Sequence, residues 1–379
     1  MALTGTMLTC SFIVLKIYSH NFTMSKYRMQ QGLGSVIIQL MKRCNLDCIM
    51  CGQAKSRKSG KTFELSKNTV IGVIDDIKEL GFKRVVFTGG EPTLYEELPA
   101  LISHASRIGL KTEIMSNGYV IDEQYAGMLV ESGLDYMTTS VHHSTPEYHD
   151  KVTKVSGSWQ RTMDAISNLK KLNPDIRFGF IFTMNSFNYR DSLKVLALAK
   201  RKGVGTLIMS HIVFSEPHVD KRLKLSERQM KEFYFLIAPS LLSLGEKTGI
   251  DVIFFPTFSS LMGKSPKYQA KMLMDNPENF EEEILNFSRG EYAIGKYDRL
   301  PCTTALTSSR VLSSGDVTIC CDSEHADFGL GNVNKRRFKD IWKSEKYRKL
   351  RDIGRIPKYD GCVVCKRPFV LGGVDCICE

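Results

Sequence analysis

Between residues 35 and 213 the sequence alternates between two hydrophobic periods, and this alternation constrains the fold more than any other feature. Short apolar runs of strand type recur: "SVIIQL", "RVVFT", "KTEIM", "YMTTSV", "RFGFIFTM" and "TLIMSHIV". Longer stretches of helical period separate them, among them "KNTVIGVIDDIKELG", with Gly81 as its C-cap, and "DEQYAGMLVESG", with Asp122 as its N-cap. Counting the helix after the last strand, this makes six strand–helix units. Strands separated by helices need crossover connections, so the sheet is expected to be parallel. Periodicity alone fits a doubly wound sheet or an incomplete barrel. In both, chemistry gathers at the carboxyl ends of the strands.

The segment "MKRCNLDCIMCGQ" follows the first strand and holds Cys44, Cys48 and Cys51 within eight positions. A structural zinc takes four protein ligands, and this loop offers three thiols with no histidine nearby. A 4Fe–4S cluster held by three cysteines keeps one iron open to a further ligand. The competing reading is three buried apolar cysteines. It fits poorly, because Asn45 and Asp47 stand between them.

The chain has eleven cysteines, an odd and clustered set, unlike the disulfide framework of a secreted protein. Residues 1–34 read as an N-terminal extension. Their apolar run has no basic residue before it and is too short to span a bilayer, and no later run reaches about 18 apolar residues. A cytoplasmic, reducing location with no membrane contact is expected. The net charge of +11 admits an anionic partner. Basic residues concentrate at 334–352, where Phe338, Ile341, Trp342 and Leu350 mark an amphipathic helix with a solvated basic face. Nucleic acid is the lesser reading of that face.

The spacing Cys44-x3-Cys48-x2-Cys51 after a first strand, followed by "GGEP" at Gly89–Pro92 after the second, resembles the radical S-adenosylmethionine (SAM) superfamily. The resemblance implies a partial (β/α)6 parallel barrel. It also implies a SAM-binding 4Fe–4S cluster on Cys44, Cys48 and Cys51, and SAM chelating the open iron. One electron then splits the sulfonium, and a 5′-deoxyadenosyl radical takes a substrate hydrogen. Gly89 and Gly90 would let backbone approach the cofactor, and Glu91 would pair with its ammonium. Pro92, Ser116, Asn117, Ser140 and Asn185 match further SAM-contact positions. Met50, where the family often has an aromatic residue, could pack on the adenine edge. An external electron donor such as flavodoxin or ferredoxin is implied.

A second cysteine set follows: Cys302, Cys320 and the pair Cys362-x2-Cys365. Four thiols in this pattern suit zinc or a fully ligated iron–sulfur cluster. With "LGNVNKRRFKDIWKSEKYRKLR" between them, they resemble the SPASM/twitch extension of radical SAM enzymes, a small α+β domain, which implies an auxiliary 4Fe–4S cluster. The longer form has cysteines six and ten positions beyond Cys365, where this chain has Leu371 and Asp375, so the shorter twitch form is expected. Cys321, Cys376 and Cys378 remain alternative ligands, and Cys10 has no expected metal role.

The expected boundaries are 35–215 for the barrel, 216–300 for a helical connector and 301–379 for the cluster domain. An auxiliary cluster suits loss of a second electron, hence net oxidation. The 43 residues before Cys44 lack the leader-binding pattern of many peptide maturases. This favours a small polar substrate such as an aminocyclitol or sugar alcohol, with a ribosomally made peptide or protein as the alternative. His142, His143, His211 and Glu216 lie at or just beyond strand ends and are candidate bases. A reading of another class is a zinc-stabilised nucleic-acid-binding module.

Overall fold

A computed structural model describes residues 33–53, 63–212, 219–261, 263–292, 304–319 and 329–352. All six expected strands are present: β1 (Leu33–Gln39), β2 (Phe82–Thr88), β3 (Lys111–Met115), β4 (Tyr136–Ser140), β5 (Arg177–Met184) and β6 (Thr206–His211). Between them run α1 (Lys67–Glu79), α2 (Leu98–Arg107), α3 (Glu123–Glu131), α4 (Pro146–Thr153), α5 (Ser158–Leu172) and α6 (Ser192–Arg201). Ser66 and Asp122 cap α1 and α3, accepting from the backbone N–H of Thr69 and Tyr125. α1 ends ahead of Gly81, whose φ of 90° suits a residue without Cβ. The short, polar α4 was not expected from periodicity.

The short strand expected in the connector, β7 (Asp251–Phe255), instead extends the parallel sheet beyond β6. At the other side β8 (Ser309–Val311) pairs in parallel with β1, and β9 (Val317–Thr318) returns antiparallel to it. The expected hairpin is therefore present, and Gly315, φ 92°, lies in its turn. The strand order is β7-β6-β5-β4-β3-β2-β1-β8-β9. In a flat sheet β1 and β7 would stand about 29 Å apart at ~4.8 Å per strand. Yet Ile37, Val86, Met115, Ile181, Ile208 and Phe255, from β1, β2, β3, β5, β6 and β7, form one apolar cluster. The sheet must curl around them, as a partial barrel does. The alternate residues of each strand face the helices and build the main core.

After β6 the expected long helix begins at Ser226 with a capping box closed by Gln229. It runs as α7 (Glu227–Glu232), a π segment (Phe233–Ile237) and α8 (Ala238–Thr248). The π turn ends two residues before Pro239, which has no N–H to donate to a regular α ladder. α9 (Pro266–Asp275) and α10 (Glu281–Arg289) complete the connector. The basic stretch forms two helices rather than one, α11 (Phe338–Lys343) and α12 (Glu345–Asp352). Ser344 breaks them with an extended ψ of 151° and accepts from the Tyr347 N–H at 3.3 Å. Phe338, Ile341 and Trp342 are buried as expected, with Trp342 edge-on to Phe82 at 5.1 Å. α11 is latched to α1, where buried Asp76 accepts from the Arg337 guanidinium and from the Lys339 N–H at 3.2 Å. Among the described residues, no helix is long and apolar enough to cross a membrane.

Candidate functional site

Cys44, Cys48 and Cys51 follow the carboxyl end of β1 as half-buried thiols, not joined in disulfides. α4 holds their loop. The N–H groups of Asp47 and Ile49 donate to the carbonyls of Thr153 and Val152 at 3.1 and 2.9 Å. Carbonyls in a helix's last turn have no partner within it, so the loop amides satisfy them. Sulfur receives donors too: the Leu46 N–H lies 3.4 Å and Asn117 Nδ2 3.9 Å from Cys44 Sγ. Among the described residues no three His, Cys, Asp or Glu side chains converge tightly enough for one metal ion. A cubane does not require that, since each thiolate binds a different iron.

The "GGEP" turn lies directly against this loop. The N–H of Gly90 donates to the Met41 carbonyl and that of Glu91 to the Arg43 carbonyl, both at 2.8 Å. A Cβ on Gly90 would stand 2.1 Å from the Arg43 carbonyl oxygen, and one on Gly89 2.8 Å from that of Met41. Pro92 opens a buried 3-10 turn. Glu91 is 1% exposed. Its Oε1 accepts from the Thr93 N–H (3.0 Å), Thr93 Oγ1 (2.5 Å) and Ser116 Oγ (2.7 Å), and its Oε2 from the Asn117 N–H (2.8 Å). Burial pushes its carboxyl above the usual range, and these donors pull it back. The carboxylate thus locks the ends of β2 and β3 together, rather than standing open to an incoming ammonium as expected. Asn117 in turn reaches Asn45 Oδ1 at 2.9 Å, joining the third strand to the thiol loop.

Ser140 ends β4 on the concave face and is half-buried. Asn185 follows β5 and is fully buried. Its Oδ1 accepts from the Phe187 N–H at 2.9 Å, and its Nδ2 has no partner among the described residues. Such an orphaned donor at a strand's carboxyl end fits a bound ligand with an acceptor there. The thiols, the glycine cradle and Asn185 together fit a cluster with SAM. Met50 packs with Ile49 on Ile212, Val219 and Leu223. Sequence reasoning missed Thr93, Asn45 and Asn188. Asn188 accepts from the Asn185 N–H at 2.7 Å and donates to the His142 carbonyl at 3.0 Å. The paired asparagines in "NSFN" are the available signal, since Asn side chains close such turns.

The histidines are used differently from expectation. His211 is one residue past Ser210, which pairs with Phe255 of the lumen cluster, so strand alternation turns His211 to the helical layer. There its Nε2 meets Tyr234 Oη at 3.1 Å among Phe287 and Tyr292. Tyr234 donates to the Pro256 carbonyl at 3.2 Å, so it accepts from His211. This corrects the expectation of a base facing the substrate. The buried His142 ring stacks on His149 at 5.5 Å, and burial lowers its pKa to about 4. His149, whose Nδ1 accepts from the His142 N–H, is lowered to about 3 for the same reason. His143 Nδ1 lies 3.2 Å from Asp191 and also accepts from the Thr145 N–H at 3.2 Å. A backbone N–H can only donate, so Nδ1 acts as an acceptor here, and burial lowers the pKa of His143 while Asp191 opposes the shift. Glu216 and the second set, Cys302, Cys320, Cys362 and Cys365, lie outside the described residues.

Toward the carboxyl ends from the apolar cluster, the concave face carries Gln39, Thr88, Ser140, Thr183 and Ser210. Toward the amino ends it becomes charged, with Arg84 paired to Glu113 at 3.3 Å.

Comparison with known proteins agrees with this arrangement. Residues 38–199 match the model of the radical SAM superfamily, and residues 302–366 match that of SPASM, an iron–sulfur cluster-binding domain. The chain is 29% identical over 314 residues to the Fe-coproporphyrin III synthase of Methanosarcina barkeri, covering 81% of this chain and 73% of that protein. It is 24% identical over 352 residues to the PqqA peptide cyclase of Xanthomonas campestris pv. campestris, covering 90% and 82%. Its fold is similar to that of SuiB from Streptococcus suis, with a TM-score of 0.63 at 15% identity over 90% of this chain and 73% of that one. None of these three is named for a sugar alcohol, and the aminocyclitol expectation gives way. An iron–sulfur domain likewise replaces the zinc-module reading of the second cysteine set. The chain is a radical SAM enzyme with a C-terminal SPASM domain, carrying 4Fe–4S clusters and SAM as cofactors.

Proposed function

We propose that this enzyme matures a ribosomally made peptide or protein by radical oxidation of one of its residues. The observation that carries the chemistry is the thiol loop lying on the glycine cradle, where a Cβ on Gly90 would stand 2.1 Å from the Arg43 carbonyl oxygen. When bound, the cluster and SAM supply one-electron cleavage of the sulfonium and removal of a substrate hydrogen atom. Cys44, Cys48 and Cys51 would hold the cluster. Glu91 keeps Asn117 in place beside Cys44. Asn185 Nδ2 would donate to SAM. The second cysteine set would hold an auxiliary cluster that takes up the second electron, with flavodoxin or ferredoxin as external donor.

The peptide reading is supported by the length of the match to the PqqA peptide cyclase. The higher identity to the Fe-coproporphyrin III synthase favours a second reading, a tetrapyrrole substrate. The test is anaerobic incubation with SAM and dithionite, with wild type and Cys44→Ala compared for 5′-deoxyadenosine. Equal yields would refute the radical reading. Co-expression with peptides encoded beside the gene, followed by mass spectrometry, separates the substrates. A mass change that requires Cys44 supports the peptide. Unchanged peptides, together with a shifted visible band of an added iron tetrapyrrole, support the second reading.

A further inference from the structure

Ile49 and Met50 stand between the second and third thiols, and their side chains join neither the main core nor the lumen cluster. They pack on a small separate cluster of Ile212, Val219 and Leu223, which are 4%, 3% and 3% exposed. Leu223 ends a 3-10 turn (Lys221–Leu223) set by Asp220, whose Oδ1 accepts from the Arg222 N–H at 2.9 Å. The loop after β5 fastens the same turn. The Ser186 N–H donates to the Leu223 carbonyl at 2.9 Å, and Ser186 Oγ donates to the Arg222 carbonyl at 2.6 Å. Ser186 adjoins Asn185. One short turn therefore touches both the thiol loop after β1 and the loop bearing Asn185 after β5, across the mouth of the curled sheet.

The hydrogen bonds to α4 hold the thiol loop by its backbone at Asp47 and Ile49. They do not set the side chains of Ile49 and Met50. An apolar shell over a metal site controls the entry of water, and with it the lifetime and potential of the centre. The geometry points to Leu223 as a positioning residue that, through Met50, keeps the thiol loop closed against water. The cluster part of this inference rests on the function proposed above; the loop part does not.

Two measurements on the full chain test it, using Leu223→Ala, Leu223→Met and, as a control, Leu129→Ala in α3 on the helical side. The first is deuterium uptake over residues 44–51 in protein without cluster. The second is loss of the cluster's visible absorbance in air after reconstitution. Leu223→Ala should speed both by about tenfold or more, since truncating a buried leucine leaves a cavity under the loop. Leu223→Met should restore both, and Leu129→Ala should change neither by more than its effect on global stability. If Leu223→Ala does not fold, Leu223→Val and Val219→Ala take its place with smaller changes of the same sign. Unchanged uptake and bleaching in a folded variant, or equal changes in Leu129→Ala, would overturn the inference. A wild type that forms no cluster, with faster uptake in Leu223→Ala, would refute the radical reading and leave the role of Leu223 in closing the loop standing.

Discussion

Gly90 has less room than Gly89, because its Cα faces the carbonyls of Lys42 and Arg43. Gly90→Ala is expected to push the cradle off the thiol loop at a cost of about 1–3 kcal/mol. Iron and sulfide analysis after reconstitution should show cluster loss in a chain that still folds. His142 and His149 make a pH prediction. Both are held neutral by burial, at about 4 and about 3 against 6.5 for the free group. The unfolded chain therefore binds more protons than the folded one below 6.5. Stability is fully present above that value and is lost as pH falls toward 4, by up to about 1.4 kcal/mol per pH unit for each ring. Urea denaturation across that range should show the slope, and His142→Gln should flatten it. Contiguous motifs made the thiols and "GGEP" legible in the sequence. His211 was misread because being at a strand end says nothing about which face a side chain takes. That depends on register, which pairing with β7 sets.

At the scale of elements, the latch between α1 and α11 carries the docking of the C-terminal part onto the barrel. Asp76 is 1% exposed while its partner Arg337 is 55% exposed, so solvent screens part of the pair. Asp76→Ala should cost about 1–3 kcal/mol, mostly through the unpaired Lys339 N–H and the lost guanidinium contact. Denaturation should register this as a lower midpoint, and Asp76→Asn should lose less. The strands and long helices were legible because their periods are strong. α4 was not, since a short polar helix beginning at Pro146 has no apolar stripe, and its value lies in the carbonyls it lends to the thiol loop. The break at Ser344 was also hidden: apolar spacing runs through it unbroken, and only the local capping bond shows that one helix has become two.

At the scale of the molecule, β8 runs parallel to β1, so the chain enters β8 from the amino-terminal side of the sheet and returns there after β9. The thiol loop lies on the opposite side, and β1 alone spans seven residues, about 23 Å at ~3.3 Å each. The proposed ligands Cys302 and Cys320 lie outside the described residues. Replacing Cys302 and Cys320 with alanine should remove about half of the bound iron. SAM cleavage should persist while product is lost; loss of all iron would show that the two sets are not independent.

The pairing of β1 with β8 joins Val36 to Ser309. Contacts so distant in sequence form late, because closing the intervening loop is entropically costly. During synthesis the amino-terminal domain can collapse with one border of its first strand bare. Only when the chain past residue 311 leaves the ribosome is that border covered. Until then its unpaired backbone groups are a template for any other extended segment, so this is where a wrong pairing would begin.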